Sequence, residues 1–584
     1  MMISRHFRST CIAVFLAAIF FLQAFASSAQ KSLTWDEPSY IAAGFTYLTR
    51  NDFRLNASHP PLMQEMAALP LLFMNLKVPR GLIDDWMQHY NNPVVAFGRA
   101  LIFESGNDAI LIARWARVPV MLMGTGLILA LFLWGRQLYG DAGALVATAL
   151  AALSPNLLAH SRLATEDLGC AALMFVAVWT FWLGWSKDRT AFWVLCGAVT
   201  GLALLSKFTA LLLGPIYLVL TVVLFASEVA KNWALAPARR TVPTRKGVIP
   251  RCLSSFLHNL SRQDQAVKPV TILKAFAIIG SVCFILIGAG YNFSFDWRLY
   301  FNGLGKIYAD LVPPYYFYLW GHVSDEPMWY YHVVAFLIKV PIPAMGMILL
   351  AVVSAVLGRC HREAVIFLLV PALVVVVASF FDRANFGLRR ILPAFPFLFL
   401  FAGTVLASRD HALSMASSRG PNGPGLEGKK FDRRPMGFRR LAVIVLLGWM
   451  IVEAILIYPH HLSYFNRAVG GPMQGPHLLD DSNIDWGQDL PALAAWQSRH
   501  PEAVPLKLFY FGTAVPEAYG VQTTKFDQAE LANPQPGTYA VSVHALVRFR
   551  TGHKKAGLDI DWLSKFEKNR IGRAGYSIYI YRFP

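Results

Sequence analysis

The chain has 584 residues, 55% of them apolar and only 15% charged, with a formal net charge of +18. A soluble chain of this length would fold as several domains, but apolar residues gathered in long uninterrupted blocks exclude that, and they exclude the alternating pattern of a membrane β-barrel. The excess Lys and Arg sits in two polar loops, 227–270 and 409–440, rather than on a folded basic surface, which excludes nucleic acid as a partner.

A spanning helix needs about 20 predominantly apolar residues. Blocks of that kind lie at 9–29, 117–134, 142–159, 168–186, 191–206, 208–226, 271–291, 329–357, 364–381, 391–408 and 441–457, or about eleven spans. The expected class is therefore an all-α polytopic membrane protein. The first block follows Arg5 and Arg8 and ends in Ala24-Phe25-Ala26. These features fit a cleavable signal peptide; a retained anchor is preferred, because cleavage would release the nearby Asp36 segment. Lys and Arg favour cytoplasmic loops. Counting spans from a cytoplasmic N-terminus puts both basic loops inside and leaves 30–110, 292–328 and 458–584 outside. None of the six cysteines falls in an outer segment, so no disulfide framework is expected there.

The first outer loop, 30–110, opens with Trp35-Asp36-Glu37-Pro38, followed by Tyr40, Ile41, Phe45 and Leu48 at helical spacing. Proline suits the first helical turn and carboxylates suit a helix N-terminus, so Asp36 and Glu37 are expected to start a short helix. His59-Pro60-Pro61 marks a second start, leading into an interfacial helix. The segment 292–328 carries Pro313-Pro314-Tyr315-Tyr316, and the loop 409–440 reads as a polar linker. After Tyr458 no further apolar block occurs. Runs at 506–510, 539–543 and 577–581 have strand length and composition, which predicts a small α/β domain at 458–584 beside the membrane domain of 1–457. Asp480-Asp481-Ser482-Asn483-Ile484-Asp485 lacks the Gly and the terminal carboxylate of a calcium-binding EF-hand loop and reads as an Asx-rich turn.

Ionisable residues at span ends are either topology features or parts of a site. Asp36, Glu37, His59, Arg162, Glu166, Asp167, Lys207, Asp382, Arg389 and Arg390 all fall toward the outer side of the expected topology. Carboxylates supply a general base, while Arg and Lys bind phosphate. The combination suits a lipid with an anionic head.

These residues resemble a known family. Trp35-Asp36-Glu37-Pro38, Gly44, Tyr47-Leu48, Arg54-Leu55-Asn56 and His59-Pro60-Pro61-Leu62 look like the first outer loop of bacterial GT-C membrane glycosyltransferases. The nearest branch is the one containing protein O-mannosyltransferases and the aminoarabinose transferase of lipid A. Ser154-Pro155-Asn156 with Thr165-Glu166-Asp167, then Ser206-Lys207-Phe208, Asn385-Phe386-Gly387-Leu388-Arg389-Arg390, and Tyr458-Pro459-His460-His461 through Asp489 continue the resemblance in order. It implies transfer of a sugar from a polyprenyl-phosphate donor to a protein, lipid or glycan acceptor at the periplasmic face of a bacterial inner membrane. It implies Asp36 as base, with Glu37 and Asp167 as further catalytic carboxylates. Arg54, His59, Arg162, Glu166, Lys207, Arg389 and Arg390 are the implied substrate-binding residues. Related sequences often have His where this chain has Arg390. No cofactor is read from the sequence, although the carboxylates leave room for a divalent metal. A multi-span transporter or lipid flippase is the alternative, kept open by Pro341 and Pro343 after Lys339.

Overall fold

The computed structural model describes residues 2–81, 83–235, 269–293, 297–310, 317–357, 362–407, 436–524, 530, 533–555 and 567–584. Most of the two basic loops and the Pro313–Tyr316 segment lie outside the described residues.

Every expected apolar block is helical. Among the described residues six helices are long and apolar enough to cross a membrane: His6–Ser28, Ala109–Tyr139, Asp167–Lys187, Phe208–Ala226, Thr271–Gly290 and Arg439–Ile457. Two bent pairs raise the number to eight, Asp141–Ala152 with Pro155–Ser161 at 61° and Tyr331–Lys339 with Ile342–Val356 at 112°. The remaining blocks form the shorter apolar helices Thr190–Ser206, Val365–Ser379 and Ala394–Leu406. The protein is a multi-pass membrane protein. The breaks follow local chemistry. Ser154 accepts a hydrogen bond from the Leu157 amide and Pro155 opens the next helix. Pro341 and Pro343 force the turn after Lys339, since a proline disfavours helix in the residue before it.

Both short helices expected in the first outer loop are present. Helix α1 (Met2–Ser28) exits into a linker, then α2 (Glu37–Arg50) and α3 (Leu62–Ala68) pack against each other. Gly44 permits that crossing, because a Cβ there would lie 1.9 Å from the Gln64 carbonyl oxygen.

The linker is fixed by one buried ion pair. Arg117, within Ala109–Tyr139, donates from Nε to Glu37 Oε1 at 2.8 Å and from Nη2 to Oε2 at 2.7 Å. Its remaining N–H groups reach the carbonyls of Ser28 and Lys31, both at 3.0 Å, and of Ser32 at 2.7 Å. Glu37 also accepts from the amides of Thr34, at 2.7 Å, and Ala164, at 2.8 Å. Both side chains are buried.

The tail forms the expected α/β unit. Its five-stranded sheet has the spatial order 523–524, 506–509, 537–542, 578–583, 570–574. Strand Leu506–Phe509 runs parallel to both neighbours, and the other pairs are antiparallel. The three strands anticipated from sequence form its centre. Both edge strands were not anticipated: one has two residues and the other, Arg570–Ala574, is charged and lacks alternation. Buried Asp489 docks this sheet onto the linker by pairing with Lys31 and accepting from the Ser577 hydroxyl at 2.9 Å.

Replacing Arg117 by Met strands Glu37 as an unpaired buried carboxylate. Breaking such a pair costs about 3–5 kcal/mol. The expected outcome is a clear fall in the midpoint of thermal unfolding in detergent; an unchanged midpoint would remove this pair from the fold's support.

Candidate functional site

Three backbone irregularities bring the site together. Asp36 is the N-cap of α2, but its side chain makes no capping hydrogen bond. Glu37 instead takes up the neighbouring Thr34 amide, so the Asp36 carboxylate faces elsewhere. Glu166 is likewise an N-cap without a side-chain cap bond, at the head of Asp167–Lys187. Lys207 is extended (φ −163°, ψ 144°) between Thr190–Ser206 and the helical turn Phe208–Leu212. This break is where the sequence showed two short apolar blocks in place of one span.

The side chains then meet in a chain of alternating charge. Arg389 Nη1 lies 3.2 Å from Asp36 Oδ2 and 3.7 Å from Asp167 Oδ2. Lys207 Nζ lies 2.6 Å from Asp167 Oδ1 and 3.0 Å from Glu166 Oε1. His59 Nδ1 is 3.0 Å from Glu166 Oε2, and its Nε2 is 3.3 Å from the Tyr40 hydroxyl. Tyr40 sits one helical turn after Asp36, where its amide donates to the Asp36 carbonyl. The side chains of Glu166 and Asp167 are 4% and 1% exposed, against 27% for Asp36 and 26% for His59. Asp36 and His59 thus form the open edge of an otherwise buried cluster.

The Arg389 segment is held from the tail. Its guanidinium lies 4.3 Å from the centroid of the Trp486 ring, a cation–π arrangement. Asn483 Oδ1 accepts from the Leu388 amide at 3.0 Å, and the Ser482 hydroxyl donates to the Phe386 carbonyl at 2.6 Å. Gly387 (φ 156°) leaves room for that hydroxyl, which a Cβ would meet at 2.3 Å. Asp480 pairs with His544 at 2.8 Å and Arg548 at 2.6 Å. Asp485 accepts from the Ser542 hydroxyl and from the His544 amide. The acidic run is therefore a structural loop. Among the described residues, no three His, Cys, Asp or Glu side chains gather closely enough to hold a metal ion.

Electrostatics separates the carboxylates. Burial pushes the Asp36 carboxyl above the ordinary aspartate range; Arg389 and His59 oppose this, while Asp481 and Asp167 add to it. Burial acts in the same direction on Glu166, but His59 and Lys207 outweigh it and hold that carboxyl below its usual value. For Glu37, too, Arg117 and the hydrogen bonds overcome burial and keep the carboxyl low.

The structure brings Asp36, His59, Glu166, Asp167, Lys207 and Arg389 together. Glu37 lies beside them with both oxygens occupied and none exposed. Arg162 is buried and donates to the carbonyls of Ser27, at 3.3 Å, and Pro459, at 2.8 Å. Arg390 faces Asp382 at 3.8 Å. Arg54 pairs with Asp52 and Asp84, both at 2.7 Å, on the exposed surface and does not reach the cluster. Tyr40, Trp486 and Arg117 were not picked out from the sequence. Arg117 carried a readable signal, a charge inside an apolar block. The other two carried none.

Residues 95–238 match the family model described as dolichyl-phosphate-mannose-protein mannosyltransferase. The match spans Arg162, Glu166, Asp167 and Lys207, and bears out the resemblance to GT-C glycosyltransferases. Comparison with curated protein sequences gives no match. Among solved structures, the chain is similar to ArnT from Cupriavidus metallidurans in the apo state, with 14% identity, 98% of each chain covered and a TM-score of 0.46. It is also similar to the Archaeoglobus fulgidus oligosaccharyltransferase in the apo form, with 12% identity, a TM-score of 0.45, and coverage of 96% of this chain and 72% of that one.

Replacing Lys207 by Met leaves Glu166 and Asp167 buried without their shared cation. Lys207 is one of the cations that hold the Glu166 carboxyl low, so its loss raises that carboxyl's folded-state pKa, and the variant's deficit is full only where Glu166 is ionised. The unfolding midpoint should fall further below wild type at about pH 7 than at about pH 3. A deficit independent of pH would show that Lys207 acts through packing alone.

Proposed function

We propose that the chain is a membrane glycosyltransferase. It moves a sugar from a polyprenyl-phosphate donor to an acceptor hydroxyl or amine on a protein, lipid or glycan, at the extracytoplasmic face of a bacterial inner membrane. The observation that carries this reading is the position of Arg389, whose one terminal nitrogen faces both the open carboxylate of Asp36 and the buried carboxylate of Asp167. The match of residues 95–238 to a family named for a lipid-phosphate sugar donor supports it.

Asp36 is the base. It is the most open carboxylate of the cluster, and burial has raised its proton affinity above that of an ordinary aspartate, the direction that favours a base. The acceptor O–H or N–H gives its proton to Asp36 as the acceptor atom bonds to the anomeric carbon. The bond from that carbon to the phosphate oxygen breaks, and the electron pair leaves on the lipid phosphate. Displacement in one step inverts the anomeric centre. Lys207 and Arg389 stabilise the leaving charge.

Charge counting adds a step. Asp36, Glu166 and Asp167 face the cations Lys207 and Arg389 and the His59 imidazole, which pairs with Glu166. Protonation of Asp36 removes one negative charge and weakens the hold on Arg389 as the phosphate gains charge. His59 and Glu166 flank the same edge and orient donor or acceptor.

The flippase alternative rested on Pro341 and Pro343, which form the 112° break directly after Lys339. The Lys339 ammonium donates to the Leu462 carbonyl at 2.9 Å and to that of Asn483, and only 3% of the residue is exposed. That arrangement supports a helix-break staple rather than a transport group.

A positioned base contributes about 10²–10⁴-fold. Asp36→Asn should lower donor turnover by about that factor while leaving the unfolding midpoint unchanged, measured with purified protein and a panel of polyprenyl-phosphate sugars. Full activity in that variant would dismiss Asp36 as base. The wild-type rate should fall on acidification with a limb above the ordinary aspartate pKa of about 3.9. In Arg389→Gln the limb should move to still higher pH, because a cation opposing protonation is lost; a limb left in place would contradict the assignment.

A further inference from the structure

A second cationic site lies on the other side of the Glu37–Arg117 pair. Where α1 ends and Ala109–Tyr139 begins, the surface encloses a cavity of about 110 Å³. It is lined by Ser28, Lys31, Arg114 and Arg117 from the membrane part, and by Pro491 and Tyr519 from the tail. Among the described residues no carboxylate lines it.

The cations in this wall differ. Lys31 and Arg117 are buried and already paired with Asp489 and Glu37. Arg114 is exposed, and among the described residues it has no hydrogen-bond or ion-pair partner. The Tyr519 hydroxyl accepts the Leu33 amide at 3.0 Å, which leaves its own proton to donate. The wall thus offers a free guanidinium and a free hydroxyl proton, backed by two neutralised cations.

Its surroundings are apolar and outward. Ile110, Leu111 and Trp115, in the first turns of the same helix, are 47%, 40% and 47% exposed, and Leu122 continues the face at 56%. On a membrane-spanning helix such a face meets lipid. A tryptophan near a span end is at home at headgroup level. The cavity opens beside this face, at the end of Ala109–Tyr139 that lies toward the Asp36 cluster.

We infer that this cavity binds the phosphate of an anionic phospholipid, with Arg114 and Tyr519 as its direct ligands and acyl chains lying along Ile110, Leu111 and Trp115. The bound lipid bridges the tail to the bundle, since Pro491 and Tyr519 belong to one and Arg114 to the other. Arg117 links it to the transfer site, because that side chain lines the cavity and holds Glu37, the chain neighbour of Asp36.

Native mass spectrometry of the purified full chain tests this, with dioleoyl-phosphatidylglycerol, dioleoyl-phosphatidylcholine and inorganic phosphate as probes. Wild type should retain one phosphatidylglycerol adduct in preference to phosphatidylcholine. Arg114→Gln should lower that retention at least about tenfold, the loss of roughly 1.5 kcal/mol expected for one charge-assisted hydrogen bond. Arg189→Gln, at an exposed cation elsewhere on the bundle, should not. Both variants should keep the wild-type unfolding midpoint. Equal retention of the two lipids, or an adduct unaffected by Arg114→Gln, overturns the site. Displacement of the lipid by millimolar phosphate overturns the lipid assignment and leaves a free-anion site.

Discussion

The arrangement depends on the pairing of Arg117 with Glu37. All five guanidinium N–H groups find acceptors: two on Glu37, and three on the carbonyls of Ser28, Lys31 and Ser32. Two charges taken out of water cost several kcal/mol each unless their hydrogen-bonding capacity is met. Here it is met on both sides, as Glu37 also takes the amides of Thr34 and Ala164. Three pieces of chain are fixed by this: the exit of α1, the start of α2, and the turn before Glu166. Asp36 directly precedes one end of the clamp, and Glu166 and Asp167 follow Ala164 by two and three residues. The carboxylates of the cluster are placed by one that stands outside it.

The second constraint comes from the tail. Asp489 is buried between Lys31 of the linker and the Ser577 turn of the sheet. Burial drives the Lys31 ammonium down to about 8, with Asp489 opposing and Arg162 assisting. The same loop carries Trp486 under Arg389 and Asn483 against the Leu388 amide. The loop 480–489 is thus part of the wall of the cluster, and the sheet behind it keeps that wall in place. The Asx-rich reading of this run was apt in kind, since its polar side chains satisfy backbone and cation partners.

Much of the fold was legible because it rests on composition. Apolar blocks mark helices wherever they lie. The prolines after Lys339 and the two short blocks around Lys207 marked breaks, whereas 142–159 read as one span and is bent at Ser154-Pro155. The central strands of the tail were legible for the same reason. Legibility fails where contacts are distant or where neighbours differ only in direction. Asp36 and Asp167 meet through Arg389, and 353 positions separate Arg389 from Asp36. Nothing in the sequence separates Asp36 from Glu37, two carboxylates at one helix start. The fold assigns them opposite duties, since the longer side chain reaches back to the Thr34 amide and across to Arg117. Arg54 and His59 pose the same problem in a loop: one turns to surface aspartates and the other to Glu166.

This division of labour bears on how a charged cluster can act at a membrane surface without being quenched. Asp36 and Arg389 lie in direct contact and neutralise each other at rest. If both were buried, the pair would be too stable to open; if both were exposed, water would screen it and hold neither in place. The cluster avoids both limits through graded exposure. Asp167 and Glu166 are buried and hold Lys207 and Arg389 firmly, while Asp36 and His59 stay at the open edge. A proton delivered to Asp36 changes the balance at Arg389 without disturbing the buried pairs. Only the outermost charge needs to change for the balance at Arg389 to shift. The Glu37–Arg117 clamp makes that possible by holding the backbone at Asp36 still while its side chain changes charge.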